Sequence, residues 1–131
     1  MQINITQILA VAVGGMLGSV LRFVTGLYFI QRMSSNFPWG TFVINVAGSL
    51  LIGIIFGVFS KADSDQQWLS NENWRLFLAT GFCGGFTTFS TLSMEGFQLI
   101  KQGQYSLFFV YFTASVVLGV LAAALGYLIT K

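Results

Sequence analysis

The chain contains no histidine, a single cysteine and, in 131 residues, only six Lys/Arg and four Asp/Glu. Without histidine, the usual general base near neutral pH and the commonest transition-metal ligand are both missing. An enzyme reading therefore starts badly. The lone Cys83 excludes an intramolecular disulfide and any cysteine-rich metal site. Scarcity of charge excludes more: 8% of the residues are charged and 55% hydrophobic, where an average soluble domain carries roughly 25% charged residues. The class that remains is a membrane protein.

The few charges leave long intervals with none, at 1–21, 33–60, 76–94 and 102–130. Each approaches or exceeds the roughly 20 residues that cross about 30 Å of hydrocarbon. An all-α membrane domain over 1–131 is predicted, with four transmembrane helices at about 5–30, 38–60, 74–100 and 105–130. The first is expected to be a span and not a cleaved signal peptide, because such peptides open with a basic region and the first basic residue is Arg22. The polar stretch "KADSDQQWLSNENWR" at 61–75 reads as a solvated loop, with Trp68 and Trp74 as interfacial anchors.

Basic residues hardly choose an orientation. If both termini lie on one side, that side holds Lys61, Arg75 and Lys131, and the other holds Arg32 and Lys101. An excess of Lys/Arg is what fixes topology, so a balanced chain is free to insert both ways up, and an antiparallel dimer becomes an expectation. Four short helices enclose little volume, and the two halves show no internal repeat. A second, inverted copy would supply the two-fold relation that many transporters build within one chain; a parallel oligomer also satisfies these observations. Gly14, Gly15, Gly18 and Ser19 in the first helix, with Gly48, Gly53 and Gly57 in the second, prepare close backbone contact between helices.

Polar groups at membrane depth are costly unless they face protein, water or a substrate. Thr113 reads as an interhelical hydrogen-bonding group, whereas Arg22, Asn45 and the third helix together point to function. In "GFCGGFTTFSTL", 81–92, the glycines Gly81, Gly84 and Gly85 are expected to weaken the helix near its middle. Irregular backbone at that depth is tolerated only where it is buried in protein or lines a cavity. Freed carbonyls suit a hard cation such as Na⁺. Thr87, Thr88, Ser90 and Thr91 then add compact hydroxyl donors, and Phe89 adds the positive edge of an aromatic ring. Donors and ring edges without a lining lysine describe a site for a small anion in rapid transit.

At these residues the chain resembles the Fluc (CrcB) fluoride channels. The resemblance rests on "GTFVINVAGSLLIG", "GFCGGFTTFST", the "GS-x-x-R" at 18–22 and Tyr111 four residues before Ser115, and it covers all four helices in order. It implies a passive fluoride-selective channel in a bacterial inner membrane: an antiparallel, dual-topology homodimer with two pores and one structural Na⁺ at its centre. By the same resemblance, backbone carbonyls of Gly84 and Thr87 from both subunits would hold the Na⁺. Asn45 would donate to the ion, Phe89 would be a box ring, and Ser90, Thr91, Tyr111 and Ser115 would form a polar track. Arg22 and Glu95 would set the vestibule electrostatics.

One departure stands out, because the family's second box phenylalanine is Leu92 here. Each pore would then keep the Phe89 ring and lose the ring expected from the partner, unless Phe86, one turn earlier on a similar helical face, compensates. Three other readings stay open. A small multidrug-type exporter needs an acid in its first helix, which has none. A proton-coupled fluoride exchanger would use Glu95, and a non-transporting assembly subunit would explain the glycines but not the polar midplane.

Overall fold

The computed structural model describes residues 4–61 and 71–131. Asp63, Asp65 and Trp68 of the proposed loop lie outside the described residues. Helix α1, Ile5–Arg32, begins at a capping box in which the Asn4 side chain accepts from the Thr6 N–H and the Gln7 side chain accepts from the Asn4 N–H. Helix α2 is Trp39–Ser60. The third hydrophobic stretch is divided. Its first part, α3, runs continuously through Glu72–Arg75, the wide i→i+5 turns of Leu76–Cys83, and Gly84–Phe86. Its second part, α4, is Phe89–Lys101. Helix α5 is Tyr105–Thr130.

Helices α1, α2 and α5 are each long and apolar enough to cross a membrane, and the broken α3–α4 unit completes a four-helix, all-α membrane protein. Between α4 and α5, Gly103 adopts φ +73°. Its N–H donates to the Ile100 carbonyl and the Gln104 N–H to the Leu99 carbonyl, a Schellman ending that needs a left-handed residue. Side chains such as Leu9, Phe23, Ile30, Phe109 and Leu128 face outward, as lipid contact requires. Near the helix ends, the Arg32 guanidinium lies 5.4 Å from the Tyr28 ring centre and that of Arg75 5.0 Å from Phe56, anchoring pairs suited to an interface.

Backbone contact holds two helix pairs. A Cβ on Gly53 would run into the Ala123 carbonyl, and one on Gly126 into the Leu50 carbonyl, so α2 and α5 approach as closely as main chains allow. The same holds between α1 and α3, where Gly14 meets the Phe77 carbonyl, Gly18 the Phe82 carbonyl and Gly85 the Gly15 carbonyl. This corrects one expectation. Gly81 and Gly85 do not break the helix; they admit the backbone of α1, and the chain stays helical through Phe86. The break falls one residue later, at Thr87 and Thr88, where partners outside the helix take over the backbone hydrogen bonds.

Candidate functional site

At the end of α3, the Thr87 N–H and hydroxyl both donate to the Cys83 carbonyl, at 2.9 and 2.8 Å. The chain then extends, with ψ 160° at Thr87 and φ −152°, ψ 118° at Thr88. Asn45 on α2 grips Thr88 from both sides: its Oδ1 accepts from the Thr88 N–H at 2.8 Å and its Nδ2 donates to the Thr88 carbonyl at 3.0 Å. The amide thus replaces helical bonds that the break removes. Arg22 on α1 donates to the Thr87 carbonyl at 3.3 Å, bringing positive charge to the carbonyl end of α3. Helix α4 restarts at once, because the Thr88 hydroxyl accepts from the Thr91 N–H at 3.2 Å and donates to the Thr91 hydroxyl at 3.0 Å.

Two cavities meet at this break, and Thr88 lines both. The first, about 350 Å³, is a vestibule between α1 and α2, with Arg22, Thr41, Thr91 and Glu95 among aromatic walls that include Phe29 and Trp39. The second, about 550 Å³, is an open hollow lined by Asn45, Gly84, Thr87, Phe89, Leu92 and Ser115. Ser90 and Thr91 are exposed on the α4 surface beside it. Phe89 projects outward, 76% exposed.

Glu95 sits beside the vestibule with both carboxylate oxygens engaged. One accepts from the Thr41 hydroxyl at 2.9 Å and the other from the Tyr111 hydroxyl at 2.7 Å. Tyr111 is fully buried, its ring edge-on to Phe37 at 5.4 Å. One turn along α5, the buried Ser115 hydroxyl has no hydrogen-bond partner among the described residues. Such an atom carries a desolvation cost that a bound polar group would remove.

Of the residues singled out in the sequence, Asn45, Gly84, Thr87, Phe89, Leu92 and Ser115 meet at the hollow, while Arg22, Thr91 and Glu95 meet at the vestibule. Thr41 was missed, although it lies one helical turn before Asn45 on the same face. Phe86 is not on the Phe89 side. It is 5% exposed and stacks on Phe82, centroids 6.2 Å apart, because the extended residues between the two phenylalanines cancel the helical relation. Leu92, 6% exposed, packs in a core with Leu99 and Tyr111.

The backbone at the break also fits a hard monovalent cation. Because the Thr88 N–H is diverted to Asn45, the Gly84 carbonyl loses its helical donor, and a Cβ at Gly84 would meet nothing within 4 Å. Neutral carbonyl oxygens are the right donors. No cluster of His, Cys, Asp and Glu suited to a transition metal exists among the described residues.

An interrupted helix at membrane depth, lined by hydroxyl and amide donors and opening on two cavities, defines a small membrane protein that handles ions. The profile of the family described as CrcB-like protein, Camphor Resistance (CrcB), matches residues 9–127, and the chain belongs to that family. It is 47% identical over 126 residues to "Fluoride-specific ion channel FluC" of Nitrobacter winogradskyi, covering 96% of each chain. It is 43% identical over 125 residues to the protein of the same name from Azobacteroides pseudotrichonymphae, covering 95% of this chain and 96% of that one. A third relative with this name, from Phocaeicola vulgatus, is 44% identical over 92% of this chain and 94% of its own. These relatives are channels, not enzymes.

Proposed function

We propose that the chain is a fluoride-specific ion channel that lets fluoride leave the cell passively. The observation that carries this reading is the break at Thr87 and Thr88, held open by Asn45 and Arg22 beside the Ser115 hydroxyl, which has no partner among the described residues. A small, strongly hydrated anion needs several donors in succession, each weak enough to release it. Asn45 has one Nδ2 hydrogen beyond the one given to Thr88, and Ser90, Thr91, Tyr111 and Ser115 carry hydroxyls. The Phe89 ring edge adds a weakly positive surface without a charge that would trap the ion.

The working unit in this reading is an antiparallel homodimer with two pores. Support comes from the near balance of basic residues, three against two, and from the exposed Phe89, Ser90, Thr91 and Gly84 on the break-bearing surface. Polar groups there require a partner at membrane depth. A Na⁺ between the copies would be held by the carbonyls of Gly84 and Thr87 from each, and would supply fixed positive charge joining the two breaks. The Thr87 carbonyl retains a second lone pair beside its bond to Arg22.

Fluoride efflux from liposomes containing the purified protein, read by electrode beside a matched chloride experiment, tests the reading. Fast fluoride release without chloride, abolished by Phe89→Ile, is expected; no release from folded protein overturns it. Glu95 beside the vestibule favours a second reading, proton-coupled exchange, which would appear as fluoride flux responding to an imposed pH gradient at a fixed fluoride gradient.

A further inference from the structure

Helices α2 and α5 run side by side in the same direction, with Gly53 against the Ala123 main chain and, one turn on, Gly57 against the Tyr127 carbonyl. On α5, Tyr111, Ser115 and Gly119 recur every four residues on one face, and all three are buried. Two hydroxyls are thus followed by a position with no side chain. Ser49, one turn beyond Asn45 on the same face of α2, reaches towards that position: its Oγ stands 3.4 Å from where a Cβ on Gly119 would lie. Ser49 also lines the hollow together with Asn45 and Ser115. Its hydroxyl is not spent on Ser115, whose buried Oγ has no partner among the described residues.

We propose that Ser49 is an ion-contacting residue: its hydroxyl takes the station that Gly119 leaves without a side chain, one turn beyond Ser115, and donates to fluoride there. This inference rests on the fluoride-channel reading above. Four residues of helix advance about 6 Å. An ion leaving Ser115 would otherwise pass Gly119 with no donor from α5, at a depth where its lost hydration shell has to be replaced. A serine hydroxyl suits that task. It is compact, it rotates to aim its one hydrogen, and it carries no charge that would trap the ion. Close packing explains why the row changes helix here. One turn further on, Gly53 meets the Ala123 main chain, so α2 and α5 are already converging at this level and the gap suits one small side chain, carried by either helix.

The decisive experiment moves the hydroxyl from one helix to the other. Ser49→Ala deletes the oxygen alone. Initial fluoride flux into liposomes, measured over a range of fluoride concentrations, is expected to give a half-saturating concentration about tenfold above wild type. Gly119→Ser in the same protein returns a hydroxyl from α5, into room that Ser49→Ala has made, and is expected to bring half-saturation back to within about twofold of wild type. Gly119→Ala in place of Gly119→Ser returns the volume without the donor and should leave the defect. Ser49→Cys, which keeps the shape and weakens the donor, should shift half-saturation in the same direction as Ser49→Ala.

A Ser49→Ala protein with wild-type half-saturation overturns the assignment of Ser49 while leaving the channel reading intact. A defect that Gly119→Ala relieves as fully as Gly119→Ser also overturns it, because Ser49 would then only fill space between the helices. So does a defect that neither substitution relieves. Wild-type protein that passes no fluoride overturns the channel reading itself.

Discussion

Between α2 and α5, Gly53 and Gly126 sit where any Cβ would strike the facing backbone, whereas at the end of α3 a Cβ on Gly84 would meet nothing, and Phe89 just beyond it is 76% exposed. Both regions lie at membrane depth, and both are built from small residues. In the first, the protomer uses the missing side chains itself: lipid offers helices no hydrophobic reason to associate, so close main-chain packing must do it. In the second, carbonyls and donors are brought to the surface, where the proposed partner copy or ion would meet them. The difference separates residues that fold the chain from residues that, in the proposed channel, would meet an ion or a second copy.

Four substitutions test that separation, and the largest effect belongs to the packed region. Gly126→Val would drive its Cβ into the Leu50 carbonyl and the Ile54 N–H, both backbone atoms that cannot step aside. Overpacking of this kind costs roughly 3 kcal/mol or more. Little monodisperse protein is expected on size-exclusion chromatography, with a strongly lowered thermal midpoint in what survives. Gly84→Ala, by contrast, should leave the protomer's helicity untouched and instead weaken self-association about tenfold in sodium, with little difference from wild type where sodium is replaced by a large organic cation. Equal damage from the two glycine substitutions would erase the distinction.

Asn45→Asp, intermediate in effect, sharpens the comparison from the active side. It removes the donor to the Thr88 carbonyl and sets a carboxylate oxygen against it, while adding negative charge to the anion's surroundings. Loss of a buried hydrogen bond costs about 1–3 kcal/mol, and charge repulsion adds to it. Fluoride efflux should fall by about a hundredfold in liposomes. Unchanged efflux would mean that the amide neither holds the break nor meets the ion.

Much of this arrangement was legible from residues alone. Charge-free intervals mark the four hydrophobic stretches, because the bilayer imposes a length on them. The hydroxyl run at Thr87–Thr91 marks the interrupted helix, because polar groups at depth need a reason. What could not be read is which atom satisfies which. Gly81 and Gly85 look like helix breakers, and only the position of α1 reveals them as contact points. Asn45 looks like an ion ligand, yet its two bonds to Thr88 also make it a structural clamp. Thr41, an ordinary threonine near a helix start, gains meaning only when α4 and α5 bring Glu95 and Tyr111 to it. Pairings between helices distant in sequence depend on packing, and no local pattern encodes them.

The smallest expected effect concerns Leu92, which is shared between the protomer's packed core and the hollow at the break. Its side chain packs against Leu99 and Tyr111 in the protomer's core, yet it also lines the hollow with Phe89 and Ser115. Leu92→Phe would enlarge a residue that is only 6% exposed, so a thermal midpoint lowered by a few degrees is expected from about 1 kcal/mol of overpacking. In the hollow, however, the new ring would turn a positive edge towards the ion's surroundings, an interaction of roughly 0.5–1.5 kcal/mol in aromatic pairs. Fluoride flux should therefore rise by about threefold although the protein becomes less stable. Opposite signs in the two measurements would show that this position is shared between folding and conduction. A lowered midpoint with unchanged flux would assign Leu92 to the core alone and draw the boundary between the regions one residue closer to Phe89.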